Sequence, residues 1–422
     1  MRSLEVWLSG RRIGTITETR RGARFAYCED IYEKCPGIPV LSLSMPAKRK
    51  PFGESKTRNW FEGLLPEGDR RDRVCRRLGL DPLDWIGLLS EIGWECAGAV
   101  QVFSGDAGPG HTGSYESVDS ARLAELLTDI ARQQPVDETV SFRMSLGGFQ
   151  DKLCLRMPVI PQGAPRVSSQ GVCLALGDAA STHILKPEPS RYPGLAESEA
   201  WAMSAAGFAA RCSRVALLDL DGAPSTLVVE RYDRKIGLGT VARLHQEDAC
   251  QALDLPITAK YANETSPRGG DPTYVGMAAL LDRYAADADA EKAELLRQLT
   301  VNMVLGNWDA HAKNTSFLYP KEGLPVVAPM YDVVPIAEIE PRTTLLSLRV
   351  NGSLMPSSVN GDALITEAAL WGMNIEVAQD VVLACLDALD RGLATARSLY
   401  PAAAARHEAA ARERMACLRV VR

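Results

Sequence analysis

A chain of 422 residues, 46% hydrophobic and 24% charged, is long enough for two or three domains with substantial cores and has the composition of a globular enzyme. Its formal net charge of -6 argues against a protein that coats nucleic acid by itself, though it leaves room for DNA contact through a basic partner. The 10 cysteines contain no C-x-x-C pair, which speaks against a zinc site or a disulfide framework. With no apolar run long enough to span a bilayer, the expectation is a cytoplasmic protein with reduced thiols, no signal peptide and no membrane anchor.

Residues 4 to 17 read as a hairpin: Leu4, Val6 and Leu8 alternate, Ser9 and Gly10 turn, and Ile13 and Ile16 return. The β pattern continues through Pro39, Val40, Leu41 and Leu43 to Met45. Residues 58 to 103 then become helical, with Trp60, Phe61, Leu64 and Leu65 before a turn at Pro66, Glu67 and Gly68. Asp81 followed by Pro82 predicts a helix start, with Trp85, Leu88 and Leu89 as its apolar stripe. Ala97 to Phe103 reads as a strand, and the glycine-rich Ser104 to Ser114 as a boundary loop in which His111 is solvated.

A short helix, Ala121 to Gln133, precedes SFRMSLGGFQDKLCLRM at 141 to 157, read as strand, glycine turn, strand. Gly147 and Gly148 allow backbone amides to approach an anion closely, although a glycine pair alone also suits any hairpin. After a variable excursion from Pro158 to Gly177, Thr182 to Glu188 gives a strand with Lys186 near its end. A lysine here could reach nucleotide phosphates, or could merely protect a sheet edge. The helix starting near Leu195 carries Glu197 and Glu199, and Glu199 is the expected partner of Lys186. Strands at Val215 to Leu220 and Ser225 to Tyr232 follow. The latter ends at Glu230 and Tyr232, where a nucleotide-binding kinase has its adenine hinge. From Leu244 the chain reads as mostly helical, with Asn263 to Asp271 as loop, and it ends in an Ala/Arg-rich helix, 397 to 417, expected to be exposed.

The most informative stretch is VNMVLGNWDAHAKNTS, 301 to 316. Val301, Val304 and Leu305 bury a helical turn that ends at Gly306, and Asp309, His311, Lys313 and Asn314 crowd the loop beyond it. A separate Asp332 follows the apolar residues Val326 to Ala328. Phosphoryl transfer needs a carboxylate to orient an attacking hydroxyl, which suits Asp309, and hard oxygen ligands for magnesium, which suits Asn314 and Asp332. Helix caps and a turn would explain the same residues.

Taken together, WFEGLLPEG (60 to 68), ECAGAVQVF (95 to 103), SLGGFQDK (145 to 152), HILKP (183 to 187), VERYDR (229 to 234), RLHQEDACQALDLP (243 to 256), GNWDAHAKN (306 to 314) and MYDVVP (330 to 335) resemble the HipA family of serine/threonine kinase toxins. The resemblance implies an α+β, two-lobed protein-kinase-like fold with an extra β-rich N-terminal module: 1–110 for the module, 111–238 for the N-lobe and 239–422 for a helical C-lobe. It implies ATP and Mg2+ as cofactors, Asp309 as catalytic base and Asn314 and Asp332 as metal ligands. Lys186 would meet the ATP phosphates, with Gly147, Gly148, His311 and Lys313 beside them. Glu230, Tyr232 and Gln246 would lie on the adenine side. Ser145 matches the serine that family members phosphorylate in their own loop.

Implied partners are a HipB-like helix-turn-helix antitoxin, operator DNA through that complex, and an aminoacyl-tRNA synthetase, such as glutamyl-tRNA synthetase, as substrate. Phosphorylating it would halt translation and favour dormancy. Competing readings are a small-molecule phosphotransferase, which the N-terminal motif disfavours, and a catalytically idle corepressor, which has no need of Lys186, Asp309, Asn314 and Asp332 together.

Overall fold

Alternating apolar residues build the first sheet. Leu4 and Val6 of β1 (Ser3–Leu8), Ile13 and Ile16 of β2 (Arg11–Thr19) and Phe25 and Tyr27 of β3 (Gly22–Tyr27) all point to one buried face. In this computed structural model, which describes residues 2–105, 107–110, 113–133, 151–237, 240–263, 270–340 and 342–419, the antiparallel order is β3-β2-β1-β4, with β4 at Val100–Ser104. Helices Glu54–Glu62, Gly68–Leu78 and Trp85–Ile92 complete this core with Trp60, Phe61, Leu88 and Leu89.

Two expectations in this region fail. Pro39 to Met45 is a loop, not a strand; its apolar side chains are buried because the Tyr27 hydroxyl donates to the Met45 carbonyl (2.7 Å) and accepts from the Leu41 amide (3.1 Å), folding the loop inward. The helix start lies at Asp84, whose side chain accepts from the Gly87 amide, while Asp81 instead closes a turn onto the Leu83 amide.

Among the described residues the second sheet has seven strands, in the order β5-β8-β6-β9-β11-β10-β7, where four of the five expected fall; the fifth, at the start of 141 to 157, lies outside the described residues. These are β5 (Ser114–Ser117), β6 (Leu153–Arg156), β7 (Arg166–Ser168), β8 (Cys173–Leu176), β9 (His183–Pro187), β10 (Val215–Asp219) and β11 (Thr226–Glu230). The excursion after Pro158 supplies two of the three unexpected strands: β7 crosses to the far edge and pairs parallel with β10, and β8 returns beside β6; the third, β5, pairs with β8 at the other edge. The sheet is buried on both faces. Ala216, Leu218 and Val228 meet helix Ser120–Ala131, while Leu217, Leu227 and Val229 meet helix Leu195–Ala206. The glycine loop residues Ser145, Gly147 and Gly148 lie outside the described residues.

Beyond Leu244 the chain is not helical at once. A hairpin, β12 (Arg234–Ile236) with β13 (Val241–Arg243), leads into β14 (His245–Asp248), which joins β15 (Ser316–Lys321) and β16 (Leu324–Val327) in an antiparallel sheet. All four side chains of the polar β14 are buried, because each has partners in place. His245 Nε2 lies 2.7 Å from the Leu41 carbonyl, and Glu247 accepts from Ser42 (2.6 Å), the Leu43 amide (2.8 Å) and Trp60 Nε1 (2.9 Å). Helices Tyr274–Tyr284, Ala288–Leu305, Gly361–Leu370 and Ile375–Leu399 make up most of the remainder.

The last helix, Pro401–Leu418, is not exposed as expected. Ala403, His407, Ala411, Met415 and Leu418 share one buried face, His407 Nε2 meets Ser198 Oγ at 2.8 Å, and Arg414 Nε donates to the Val304 carbonyl. The small alanines are what let it approach so closely.

A buried ion cluster ties the N-terminal module to the rest. Glu95 accepts from Arg231, Arg234, Arg243 and Ser181, and Asp233 accepts from Arg231 and the Gly98 amide. Burial opposes ionisation of Glu95, but three surrounding guanidinium groups hold its carboxyl below the usual range.

Candidate active site in the cleft between the lobes

Lys186 stands near the end of β9, on a sheet face that helix Leu195–Ala206 covers. That helix brings Glu199 to 2.7 Å from the Lys186 ammonium, and Asp332 pairs with the same ammonium from the opposite side of the cleft. Burial works against the charged lysine, yet the two carboxylates prevail and raise its pKa. For Asp332 burial pushes the pKa up, and Lys186 and Lys152 overcome this to hold it well below the ordinary carboxylate range.

Asp332 has φ 58°, a left-handed conformation that non-glycine residues seldom adopt and that persists where the surroundings impose it. Its neighbour Tyr331 supplies part of that frame. The Tyr331 hydroxyl donates to the Lys313 carbonyl (2.6 Å), lies 2.7 Å from Ser316 Oγ, and its ring stacks on Tyr232 at 5.5 Å.

Helix Ala288–Leu305 delivers the loop that carries Asp309. It stops at Gly306, whose φ of 69° is the left-handed C-cap geometry glycine favours. Asp309 Oδ1 accepts from the Tyr261 hydroxyl at 3.1 Å, and Asn314 Nδ2 donates to the Asp309 carbonyl at 3.2 Å, closing the loop on itself. Burial raises the Asp309 pKa, Asp332 adds to the rise, and the Tyr261 hydrogen bond opposes it. A carboxylate with raised basicity is suited to accepting a proton.

Every predicted site residue within the described chain lines one cavity of about 550 Å³: Lys186, Glu230, Tyr232, Gln246, Asp309, His311, Lys313, Asn314 and Asp332. Their individual placements refine the expectations. Tyr232 donates to Gln246 Oε1 at 2.7 Å, while Glu230 turns its carboxylate onto the Ile160 amide at 3.2 Å. His311 is pushed down to about 4, chiefly by burial and then by Lys260, so its imidazole is neutral at pH 7.

Lys313 differs most from expectation. Its ammonium donates to the Gly63 carbonyl (3.0 Å) and the Asp248 carboxylate (2.6 Å), so it braces the loop against the N-terminal module instead of pointing at a phosphate position.

Among the cavity residues given no role from the sequence, four bear on the chemistry: Lys152, Glu67, Tyr261 and Tyr331. Lys152 is pushed down to about 8 by burial and by Lys186. Three of the four lay inside quoted motifs, SLGGFQDK, WFEGLLPEG and MYDVVP, without receiving a role. Tyr261 had no motif to reveal it.

Asn314 and Asp332 offer hard oxygen donors in the same cavity. Among the described residues no group of three or more His, Cys, Asp or Glu side chains could enclose a metal. The two oxygen donors of Asn314 and Asp332 suit magnesium, which takes one or two protein ligands and completes its shell with phosphate oxygens and water.

The fold and this cleft define a two-lobed, protein-kinase-like α+β protein. The chain belongs to the HipA family: residues 144–391 match the HipA-like C-terminal domain and residues 4–103 the HipA N-terminal domain. It is 33% identical over 412 residues to "Putative kinase Y4mE" of Sinorhizobium fredii, covering 95% of this chain and 94% of that one. It is 27% identical over 378 residues to "Serine/threonine-protein kinase toxin HipA" of Shewanella oneidensis, covering 85% of this chain and 80% of the relative. A solved Shewanella oneidensis structure, described as a toxin-antitoxin system of HipA, HipB and its operator DNA, superposes with TM-score 0.79 at 22% identity, over 99% of this chain and 96% of that one. No described helix is long and apolar enough to cross a membrane.

Proposed function

We propose that this protein is an ATP-dependent serine/threonine protein kinase toxin that transfers the γ-phosphate of ATP to a protein serine. The observation that carries the reading is the Lys186 ammonium, paired with both Glu199 and Asp332 in the cavity that Asp309 lines. A lysine fixed by a helix-borne carboxylate and a carboxylate near the metal position are the two conditions an active kinase cleft must meet together.

In this reading Asp309 orients the substrate hydroxyl and takes its proton, using the basicity that burial gives it. Lys186 neutralises phosphate charge, and Gly147 and Gly148, outside the described residues, are assigned to phosphate binding on their sequence alone. Tyr232 and Gln246 form the adenine side of the cleft, near the backbone of Glu230. Asn314 and Asp332 would hold Mg2+, which supplies electrostatic stabilisation of the phosphates. The neutral His311, packed edge-on against Tyr261, would lie beside the phosphates.

Ser145 is assigned as the autophosphorylation site. A phosphate on it would repel the ATP phosphates and gain solvation outside the cleft, which inactivates the enzyme. The likeness to the HipA, HipB and operator DNA assembly supports a HipB-like antitoxin as partner and DNA contact through it. The substrate is proposed to be an aminoacyl-tRNA synthetase, and the site of action the cytoplasm.

The test incubates protein shown to carry unphosphorylated Ser145 with Mg2+ and γ-labelled ATP, alone and with cell extract, and identifies labelled proteins by mass spectrometry. Label on Ser145 and on a synthetase is the expected result. Absence of label on any protein overturns the proposal.

A further inference from the structure

The WFEGLLPEG segment belongs by sequence to the N-terminal module, yet Gly63, Leu64 and Glu67 line the cleft with the catalytic-loop residues. It grips that loop at two points. On one side the Gly63 carbonyl accepts from Lys313 Nζ at 3.0 Å. On the other, Glu67 Oε2 accepts from Lys260 Nζ at 2.9 Å; these side chains are only 9% and 10% exposed.

Lys260 is joined to the loop through its own backbone. Its carbonyl accepts from the Ala312 amide at 3.0 Å, and the next residue, Tyr261, donates its hydroxyl to Asp309 Oδ1 and packs edge-on against His311 at 5.1 Å. The path from Glu67 to Asp309 thus runs through one ion pair, one peptide unit and one hydrogen bond. The second carboxylate oxygen, Glu67 Oε1, is buried with no hydrogen-bond partner among the described residues. A buried carboxylate oxygen without a partner is costly and calls for a reason beyond packing.

We propose that Glu67 is a positioning residue for phosphoryl transfer: through Lys260 and Tyr261 the N-terminal module sets the orientation of the Asp309 carboxylate, so the module is part of the catalytic apparatus. The inference rests on the kinase reading above. Asp309 has one oxygen held by Tyr261, and that bond fixes which lone pairs remain to meet an incoming hydroxyl. Misplacing a reacting group by about 1 Å costs on the order of 100-fold in rate even when the mutation lies far from the chemistry.

The experiment compares wild type, Glu67→Gln, Tyr261→Phe and the charge swap Glu67→Lys with Lys260→Glu, all as full-length chains. It measures the rate of γ-phosphate incorporation at saturating Mg-ATP, the affinity for a fluorescent ATP analogue, and hydrogen exchange of the peptide containing Ala312. Glu67→Gln and Tyr261→Phe are expected to lower the rate by roughly 10- to 100-fold with analogue affinity unchanged. Glu67→Gln should also speed exchange around Ala312, and the swap should restore both rate and protection.

A wild-type rate in Glu67→Gln beside an active wild type overturns this inference and leaves the kinase reading standing. So does a slow rate accompanied by equal loss of analogue binding that the swap fails to rescue, since that is what a merely structural role produces. A wild type that incorporates no label overturns both.

Discussion

Asp309 and Asp332 are both carboxylates in one cavity, and their surroundings push them in opposite directions. Burial raises Asp309, whereas Lys186 and Lys152 outweigh burial to keep Asp332 ionised. Such a divergence separates a proton acceptor from a permanently charged ligand. Asp309→Ala should therefore lower phosphate incorporation by roughly 10²- to 10⁴-fold, with the folded state retained in circular dichroism. Asp332→Ala should also abolish transfer. A Ser145→Ala chain should bind ATP normally and fail to inactivate itself, which a time course of labelling with phosphosite mapping will show. At this scale the sequence was informative, through residue type and spacing, about which side chains meet: Asp309 and Asn314, and Lys186 far from them along the chain, all line the one cavity. It could not show that Lys313 is committed to Gly63 and Asp248, because those partners lie 250 and 65 residues away.

Among the elements, helix Ile375–Leu399 crosses helix Leu195–Ala206 at Gly392, and a Cβ there would stand 2.4 Å from the Ala205 carbonyl and 3.1 Å from Phe208 Cβ. Alanine in place of glycine stabilises an isolated helix by about 1 kcal/mol. Here the clash with a rigid backbone oxygen should outweigh that gain, so Gly392→Ala should lower the melting temperature.

The β14 strand gives a pH prediction. Burial pushes the Glu247 carboxyl up to about 7 from its ordinary 4.5, despite hydrogen bonds from Ser42, Tyr319, Leu43 and Trp60 that favour the anion. A carboxyl raised on folding contributes stability that is fully present below pH 4.5 and is lost as pH rises through 7. Glu247→Gln should remove this component: the wild type loses stability relative to the variant between pH 5 and pH 8 in denaturant melts.

The same strand explains why the element pattern was only partly legible. A His-Gln-Glu-Asp run carries no apolar alternation, so the periodicity that revealed β1 and β2 is missing, and its burial depends on partners from residues 41 to 60. Likewise the alanines of Pro401–Leu418 read as a solvated stripe only until their close contacts are known.

On the scale of the whole molecule, the module and the lobes are joined by buried charge. Arg231, Arg234 and Arg243 surround Glu95, and all are withdrawn from solvent or nearly so. Removing the one carboxylate that three guanidinium groups share leaves Asp233, paired with Arg231 and Arg234, as the remaining counter-charge and strips Arg243 of its buried partner, a loss of about 3 kcal/mol or more. Glu95→Ala should cost that much in urea unfolding, whereas Arg419→Ala, which removes an exposed pair with Asp387, should cost under about 1 kcal/mol. The two-lobed architecture was legible because its motifs occur in a fixed order along the chain. The seven-strand order was not, since β7 joins β10 across the whole sheet.

The contact between Gly63 and Lys313 also has a temporal side. The two residues are separated by 250 positions, so at roughly 5–20 residues per second the ribosome releases the second some tens of seconds after the first. The strand pairings of the N-terminal sheet all lie within residues 3 to 104, whereas Ser42, Trp60 and Glu95 find their buried partners only at Glu247 and at Arg231, Arg234 and Arg243. The half-made chain can therefore pair the strands of one jaw of its clamp long before the loop it grips exists, and that jaw gains its last buried partners only when residues 231 to 247 arrive.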